Sequence, residues 1–289
     1  MARLLPDLAL VRRVQAAESG YTLSRLKVLE RLPGNPVGVA YRRDGRVLAM
    51  RASRLPSPLF NRVVGMEDSQ AARVAELTSW YRDAGVRGRF DVLPGESTSE
   101  LCRRLAAEGY VQTGTVDRGG LAEAGHAESG FHATLYGEPE EAPEQASKAI
   151  DVECVSSGDL LGPFLDTYCD GWSVSQAGRE GFKNIMRGWL GEPGWHLYLA
   201  MIDGSGAGTA ILYMHQGVGY FADASTVASA RGRGVHQALL ARRWQDALDA
   251  GSELVCSQAA YLSTSHRNME RAGLRLLHTQ AIWMAPPLI

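Results

Sequence analysis

Cysteine is scarce in this chain: four residues among 289, Cys102, Cys154, Cys169 and Cys256, lie far apart. None stands at metal-ligand spacing from another, which predicts free, mostly buried thiols in a cytoplasmic protein and no structural metal. His126, His132, His196, His266 and His278 show no ligand spacing either. No apolar run approaches the ~18 residues that a membrane span requires. The stretch from Met1 meets Asp7 and then Arg12-Arg13 with no long apolar run between them, so no signal peptide is expected. Neither sign of charge is in excess: 30 Lys and Arg against 32 Asp and Glu leave −2. General affinity for nucleic acid is therefore not expected. The dipeptide Gly-Lys is absent, and with it the P-loop.

What is present is ordinary in bulk. Hydrophobic residues make up 45% of the chain, enough for sizeable cores, and the length favours two domains. The most informative segment is Arg231-Gly232-Arg233-Gly234-Val235-His236. It lies between an expected strand, Gly219 to Val227, and an amphipathic helix running to about Ala250. A glycine-rich turn that opens a helix exposes unpaired N–H groups at the positive end of the helix dipole. That end suits phosphate, and two arginines add charge and fork-shaped donors. A dinucleotide fingerprint is excluded, because Gln237 stands where its third glycine belongs. The run Gly204, Gly206, Gly208 is flanked by apolar strands, Tyr198 to Ile202 and Thr209 to Met214, and reads as a hairpin.

Arg-x-x-Gly-x-small before a helix resembles the signature of the GNAT acetyltransferase superfamily, which cradles the pyrophosphate of coenzyme A. Arg231, Gly234 and His236 take the three signature positions, with His236 replacing the family's Gly or Ala. Ser265-x-x-Asn268, four residues and then Gly273-Leu274 resembles the family's second cofactor motif. The resemblance covers roughly residues 150–289. It implies a mixed α/β sheet with helices on both faces, and acetyl-CoA or another acyl-coenzyme A as donor. The implied cofactor contacts are Arg231, Gly232, Arg233, Gly234, Val235 and His236 in the turn, Ser265 and Asn268 in the second motif, and the backbone of Ala224 and Thr226. These last two end a strand that in the family splays from its neighbour to pair with the pantetheine arm. Leu262 stands where many relatives carry Asn, and Met269 where many carry an acid tyrosine, so neither of those contacts is available here.

The first half rhymes with the second: Ser97-Thr98-Ser99-Glu100 to Gly109-Tyr110 parallels Ser263-Thr264-Ser265-His266 to Gly273-Leu274. Two tandem GNAT-like domains are therefore expected, at 1–137 and 149–289. An acidic linker with two prolines, 138–148, should join them. Where the second half has its glycine turn, the first has Gly65-Met66-Glu67-Asp68-Ser69-Gln70. Two carboxylates at a helix start are good caps and repel pyrophosphate, so the first domain reads as a degenerate copy. Its expected elements are helices at Leu4 to Ala17 and Leu23 to Leu32, a hairpin around Asp44-Gly45, strands at Asn61 to Gly65 and Arg89 to Val92, and helices at Asp68 to Ala84 and Ser97 to Glu108. Ser157 is the expected cap of the first helix of the second half.

Asp223 interrupts the apolar run Tyr220-Phe221-Ala222 and is the candidate general base; His215 is a second. Cys256 reads as a structural thiol, and Tyr261 is near the second motif without being fixed by it. The resemblance implies an acyltransferase, an N-acetyltransferase, acting on the amine of a small-molecule acceptor. The oxyanion would be held by backbone N–H groups. Acyl transfer from an acyl carrier protein, related thioester chemistry, and a non-catalytic acyl-CoA-binding sensor remain open alternatives.

Overall fold

The computed structural model describes residues 4–55, 58–95, 99–112, 131–140, 142–143, 149–156 and 158–287. The chain forms α1 (Leu8–Glu30), β1 (Val39–Asp44), β2 (Val47–Ala52), β3 (Arg62–Val64), α2 (Val74–Arg82), β4 (Arg89–Val92), α3 (Ser99–Ala107), β5 (Val111–Gln112) and β6 (Phe131–Gly137). It continues through β7 (Asp151–Cys154), α4 (Gly158–Gly171), α5 (Gln176–Met186), β8 (Trp195–Ile202), β9 (Ser205–His215), β10 (Val218–Thr226), α6 (Val235–Asp249), β11 (Leu254–Ala260), α7 (Thr264–Arg271) and β12 (Arg275–Met284). Short 3₁₀ turns precede α2 and α6 and follow α5. Ser157, Ser97 and much of the expected linker lie outside the described residues, as does His126.

Two compact units divide the chain, and they exchange segments. The N-terminal unit is Asp7–Thr134 with Ala259–Ser263 and Leu277–Ile289; the C-terminal unit is Leu135–Gln258 and Thr264–Leu276 with the first six residues. The sequence reading divided the chain once, near the linker. It assigned the last strand to the second half, whereas that strand's larger part, from Leu277 on, completes the sheet of the N-terminal unit. There β12 pairs antiparallel with β4, Trp283 opposite Phe90, and with β5, Met284 opposite Val111. In return the end of β6, from Leu135, sits in the C-terminal unit, where strand order runs β6-β11-β10-β9-β8-β7. The sequence reading missed β6. The segment Phe131-His132-Ala133-Thr134-Leu135 alternates apolar and polar residues, the strand period, but is too short to stand out beside the longer patterns on either side. Its Ala133 and Leu135 are fully buried, and the Tyr136 hydroxyl donates to the Leu4 carbonyl at 2.8 Å.

Two further expectations are corrected. The helices expected at Leu4 to Ala17 and Leu23 to Leu32 are one helix, α1, which runs through Gly20. Its buried face, Val14, Ala17, Tyr21, Leu26 and Leu29, continues the helical period across the glycine. That packing outweighs the ~1 kcal/mol that glycine costs a helix interior. Asp7 starts the helix, its Oδ1 accepting from Leu10 N at 2.7 Å. The helix expected over Asp68 to Ala84 begins as a 3₁₀ turn, Asp68–Arg73, and becomes α-helical only at Val74.

In the C-terminal unit β8, β9 and β10 form an antiparallel meander, and β10 pairs parallel with β11. Helix α6 lies against β9 and β10, burying Leu239, Leu240, Trp244 and Ala247. Gly208, within β9, serves close packing. A Cβ at Gly208 would come within 2.6 Å of both the Ser225 carbonyl oxygen and Val235 Cγ1. No helix among the described residues is long and apolar enough to cross a membrane.

Candidate active site

The turn between β10 and α6 holds its backbone in a shape that only glycine adopts freely. Gly232 has φ +76° and Gly234, the residue before the helix, φ +89°. A side chain is strained at either position. No side chain caps the helix, so its first N–H groups stay open to a ligand. Gly232 has nothing within 4 Å of where a Cβ would be, and Arg231, Gly232 and Arg233 are exposed. Among the described residues neither arginine side chain has a partner. Two exposed guanidiniums beside an uncapped helix start are an arrangement suited to an anion such as phosphate.

The strand that leads into this turn is irregular where it matters. β10 and β11 pair from Val218 opposite Leu254 to Phe221 opposite Ser257, and there the ladder stops. Both strands continue, β10 to Thr226 and β11 to Ala260. The Ser257 hydroxyl closes the last rung, donating to the Phe221 carbonyl at 2.8 Å. On its other edge β10 keeps its partner, with Ser225 opposite Thr209 and Thr226 opposite Gly208, and a bulge intervenes between Ala222 and Ser225. Among the described residues the edge of β10 toward β11 therefore has no ladder partner at Ala224 and Thr226. The bulge is pinned from below by the contact of Thr209 Oγ1 with Ser225 Oγ at 3.0 Å. It is pinned from the side by α4, since a Cβ on Gly171 would lie 2.8 Å from Ser225 Cβ.

Asp223 occupies the bulge itself, with φ +42°. The sequence reading placed it inside a regular apolar strand; it is half-buried at the irregularity instead. Aspartate tolerates positive φ better than most residues, which explains this residue type at this position independently of chemistry. Its carboxylate is not idle, however. The Tyr168 hydroxyl on α4 donates to Asp223 Oδ2 at 3.0 Å. Sequence reasoning did not single out Tyr168: Phe164, Tyr168 and Trp172 recur every four residues, the spacing of a packed helix face. They are largely that: Tyr168 packs among Phe164, Trp172, Phe182 and Trp189 at ring separations of 5.8–6.1 Å. Only the fold shows that its hydroxyl reaches the bulge. His215, the other candidate base, ends β9 opposite Val218, at the far end of the hairpin from Asp223, and stacks on Tyr213. Cys256 is fully buried opposite Tyr220, inside the paired part of the strands.

The second motif meets the first at the start of α6. Asn268 is buried on α7, and its side-chain amide donates toward His236 Nδ1 at 3.2 Å. Its Oδ1 accepts from Arg271 at 2.8 Å and from Gln237 at 3.4 Å. The Asn268 side chain thus ties α7 to the α6 start. His236 fills the space that a Gly or Ala would leave, its Nε2 sealed from solvent and without a partner. Burial, with the positive charge of Arg243 adding to it, brings the imidazole down to about 3, so His236 is neutral at pH 7. Ser265 is half-buried in the first turn of α7. Met269 is buried at 3% exposure, so no proton donor stands at that position. Tyr261 belongs to the N-terminal unit.

No protein-family model matches the chain, and no curated protein matches it. Solved structures do match over nearly its whole length. A GCN5-related N-acetyltransferase from Kribbella flavida superposes with TM-score 0.64 at 15% identity, covering 94% of this chain and 96% of that one. A tandem GNAT protein from the clavulanic acid biosynthesis pathway gives 0.60 at 12% identity, over 94% and 98%. A GCN5-related N-acetyltransferase from Sphaerobacter thermophilus gives 0.59 at 14%, over 84% and 82%. An uncapped glycine turn after a strand that parts from its neighbour is thus set in a chain that has the fold of the GCN5-related N-acetyltransferases, tandem members included.

Proposed function

We propose that the C-terminal unit binds an acyl-coenzyme A and transfers its acyl group, acetyl in the simplest case, to the amine of a small-molecule acceptor. One observation carries this reading. The β10–β11 ladder stops at Phe221 and Ser257 while both strands run on, and the open edge leads directly into the uncapped turn with Arg231 and Arg233. The turn would hold the pyrophosphate through the N–H groups of Gly232 to His236 and the two guanidiniums. Backbone groups of Ala224 and Thr226 would hold the pantetheine arm, with Ser265 near the turn on α7. Asn268 would act by fixing the start of α6, since its own polar atoms are already engaged. The bound cofactor supplies an activated thioester. Asp223 accepts the proton of the attacking amine, and Tyr168 holds that carboxylate in place. Donors fixed along the open edge stabilise charge that develops on the acyl oxygen.

Coenzyme A should raise the thermal midpoint, because a ligand of the native state stabilises by mass action. Thiol release from acetyl-CoA, followed across a panel of amines, tests transfer. Asp223→Asn keeps a residue that tolerates positive φ and removes the charge, so the bulge should persist. It should lower kcat by about 10²–10⁴ while leaving coenzyme A binding intact. A loss below about tenfold removes Asp223 from the role of base. A second reading, an acyl-coenzyme A sensor without turnover, is favoured by buried Met269 in place of an acid tyrosine. A cofactor-induced thermal shift with no thiol release across the panel would select it.

A further inference from the structure

Arg243 is the most anomalous charge in the C-terminal unit. It lies on the core side of α6 and is 1% exposed. Among the described residues no carboxylate comes within ion-pair distance of it. Its Nε donates to its own helix, at the Leu239 carbonyl 3.0 Å away. One terminal nitrogen reaches two strand carbonyls, Ile211 at 3.3 Å and Ala222 at 3.4 Å; the other has no partner. The guanidinium lies over the Phe221 ring at 4.9 Å. Burial brings it down to about 9, with Tyr198 opposing the shift, so it remains charged at pH 7. An unpaired buried cation costs several kcal/mol, and a hydrophobic residue of similar volume would serve packing better. The carbonyls that it touches are informative. Ile211 and Ala222 form the last regular pair before the bulge, and Ala222 precedes Asp223.

We propose that Arg243 is a positioning residue for acyl transfer, which lays a positive potential along the open edge of β10 from beneath and so stabilises negative charge on the acyl oxygen and the departing sulfur. The inference rests on the coenzyme A reading above. A carbonyl that accepts a hydrogen bond strengthens the donor at the other end of its peptide, so the Arg243–Ala222 contact makes the Asp223 N–H a stronger donor. In a water-poor interior the charge itself is weakly screened. The acceptor amine would attack the acyl carbon, forming the new carbon–nitrogen bond and giving its proton to Asp223, and the carbonyl–sulfur bond would then break with its electron pair, so that the sulfur leaves as a thiolate beside this potential. The stabilised thiolate supplies what the buried Met269 cannot: a way for the sulfur to leave without a tyrosine proton.

The test reads the thiol directly and needs no acceptor. The thiol of bound coenzyme A is titrated by its thiolate ultraviolet absorbance, with desulfo-coenzyme A as the blank, in wild type, Arg243→Met and Arg243→Lys. The bound thiol should titrate about one unit lower in wild type than in Arg243→Met, with Arg243→Lys close to wild type. The His236 imidazole, followed by NMR, should titrate higher in Arg243→Met than in wild type, because Arg243 is one of the causes that depress it. A merely structural arginine would leave the bound thiol's titration unchanged. Should Arg243→Met fail to fold, Arg243→Gln serves the same comparison. Coenzyme A bound with the same thiol titration in wild type and the neutral variant overturns this proposal alone. Failure of wild type to bind coenzyme A overturns both it and the reading on which it rests.

Discussion

Two strand-to-helix turns occupy the same place in the two units, one after β3 and one after β10, and they have taken opposite courses. After β10 the helix start is bare: two glycines at positive φ, no side-chain cap and two exposed arginines without partners among the described residues. After β3 the polar groups of the turn are engaged within the protein. Glu67 and Gln70 form a reciprocal capping box, Glu67 is also paired with Arg46, and Asp68 Oδ1 accepts from Leu101 N at 3.0 Å, capping α3. The strands differ in the same sense. β10 and β11 part and leave backbone groups open, whereas beside β3 and β4 the interior is filled with charge. Arg62 bonds to Asp91 at 2.9 Å and to Thr22 at 2.8 Å, Arg89 is bidentate on Asp91, and Glu18 lies 3.1 Å from Arg62. One fold thus supports either a ligand site or a core of charges paired with one another, and the difference lies in whether the polar groups of the turn are engaged internally.

The internally paired side of this contrast breaks most easily at Asp91. Burial alone would raise its carboxyl, but Arg89 and Arg62 outweigh burial and hold it below the usual carboxylate range. Asp91→Asn leaves two buried guanidiniums with one shared carboxylate fewer and should cost about 3–5 kcal/mol of stability, read by denaturant unfolding. The direction with pH follows. A carboxyl depressed in the folded state contributes stability that is present above its unfolded value near 3.9, and that is lost as pH falls through the folded one. Wild type should therefore lose stability in that acid range more steeply than Asp91→Asn. Equal slopes would mean that the network does not hold the N-terminal unit together.

Much of this contrast was legible in the sequence. The glycines and arginines of one turn and the carboxylates of the other are local chemistry, readable because caps and phosphate sites use residues within a few positions of each other. The β10 irregularity was half legible, since Asp223 marked the spot without showing a bulge. Tyr168, Arg243 and Ser257 were not legible. Their roles depend on partners 55, 21 and 36 residues away, at Asp223, Ala222 and Phe221, which only the sheet brings together. The exchange of β6 and β12 was hidden for the same reason: local pattern gives a strand's existence, and not which sheet it completes.

The ligand-binding side of the contrast is sharpened by charge reversal. Arg231→Glu and Arg233→Glu remove exposed cations that have no side-chain partner among the described residues, so the thermal midpoint of the free protein should hold. Each should weaken coenzyme A binding by about tenfold, since hydrogen bonds to charged groups contribute roughly 1.5–3 kcal/mol and exposure screens part of that. Calorimetric titration of wild type should give one coenzyme A per chain. Two per chain would end the description of the N-terminal turn as internally engaged. Unchanged affinity in both variants would remove the pyrophosphate from the C-terminal turn.

The smallest effect tests the role of backbone shape in these turns. Ahead of α6 the positive-φ positions are glycines; ahead of α7 the corresponding demand falls on Leu262, at φ +61°. Leucine is strained there, because its Cβ crowds the following carbonyl, whereas asparagine enters this region readily. Leu262 is 57% exposed, so exchanging it sacrifices little packing. Leu262→Asn should therefore stabilise the protein by about 0.5–1 kcal/mol, a rise of roughly a few degrees at most in the thermal midpoint. Leu262→Gly relieves the same strain but loosens the unfolded chain, so its gain should be smaller. If both variants are destabilised, Leu262 is held by packing that offsets its strain, and glycine at the α6 turn then reflects room for a ligand more than ease of the backbone.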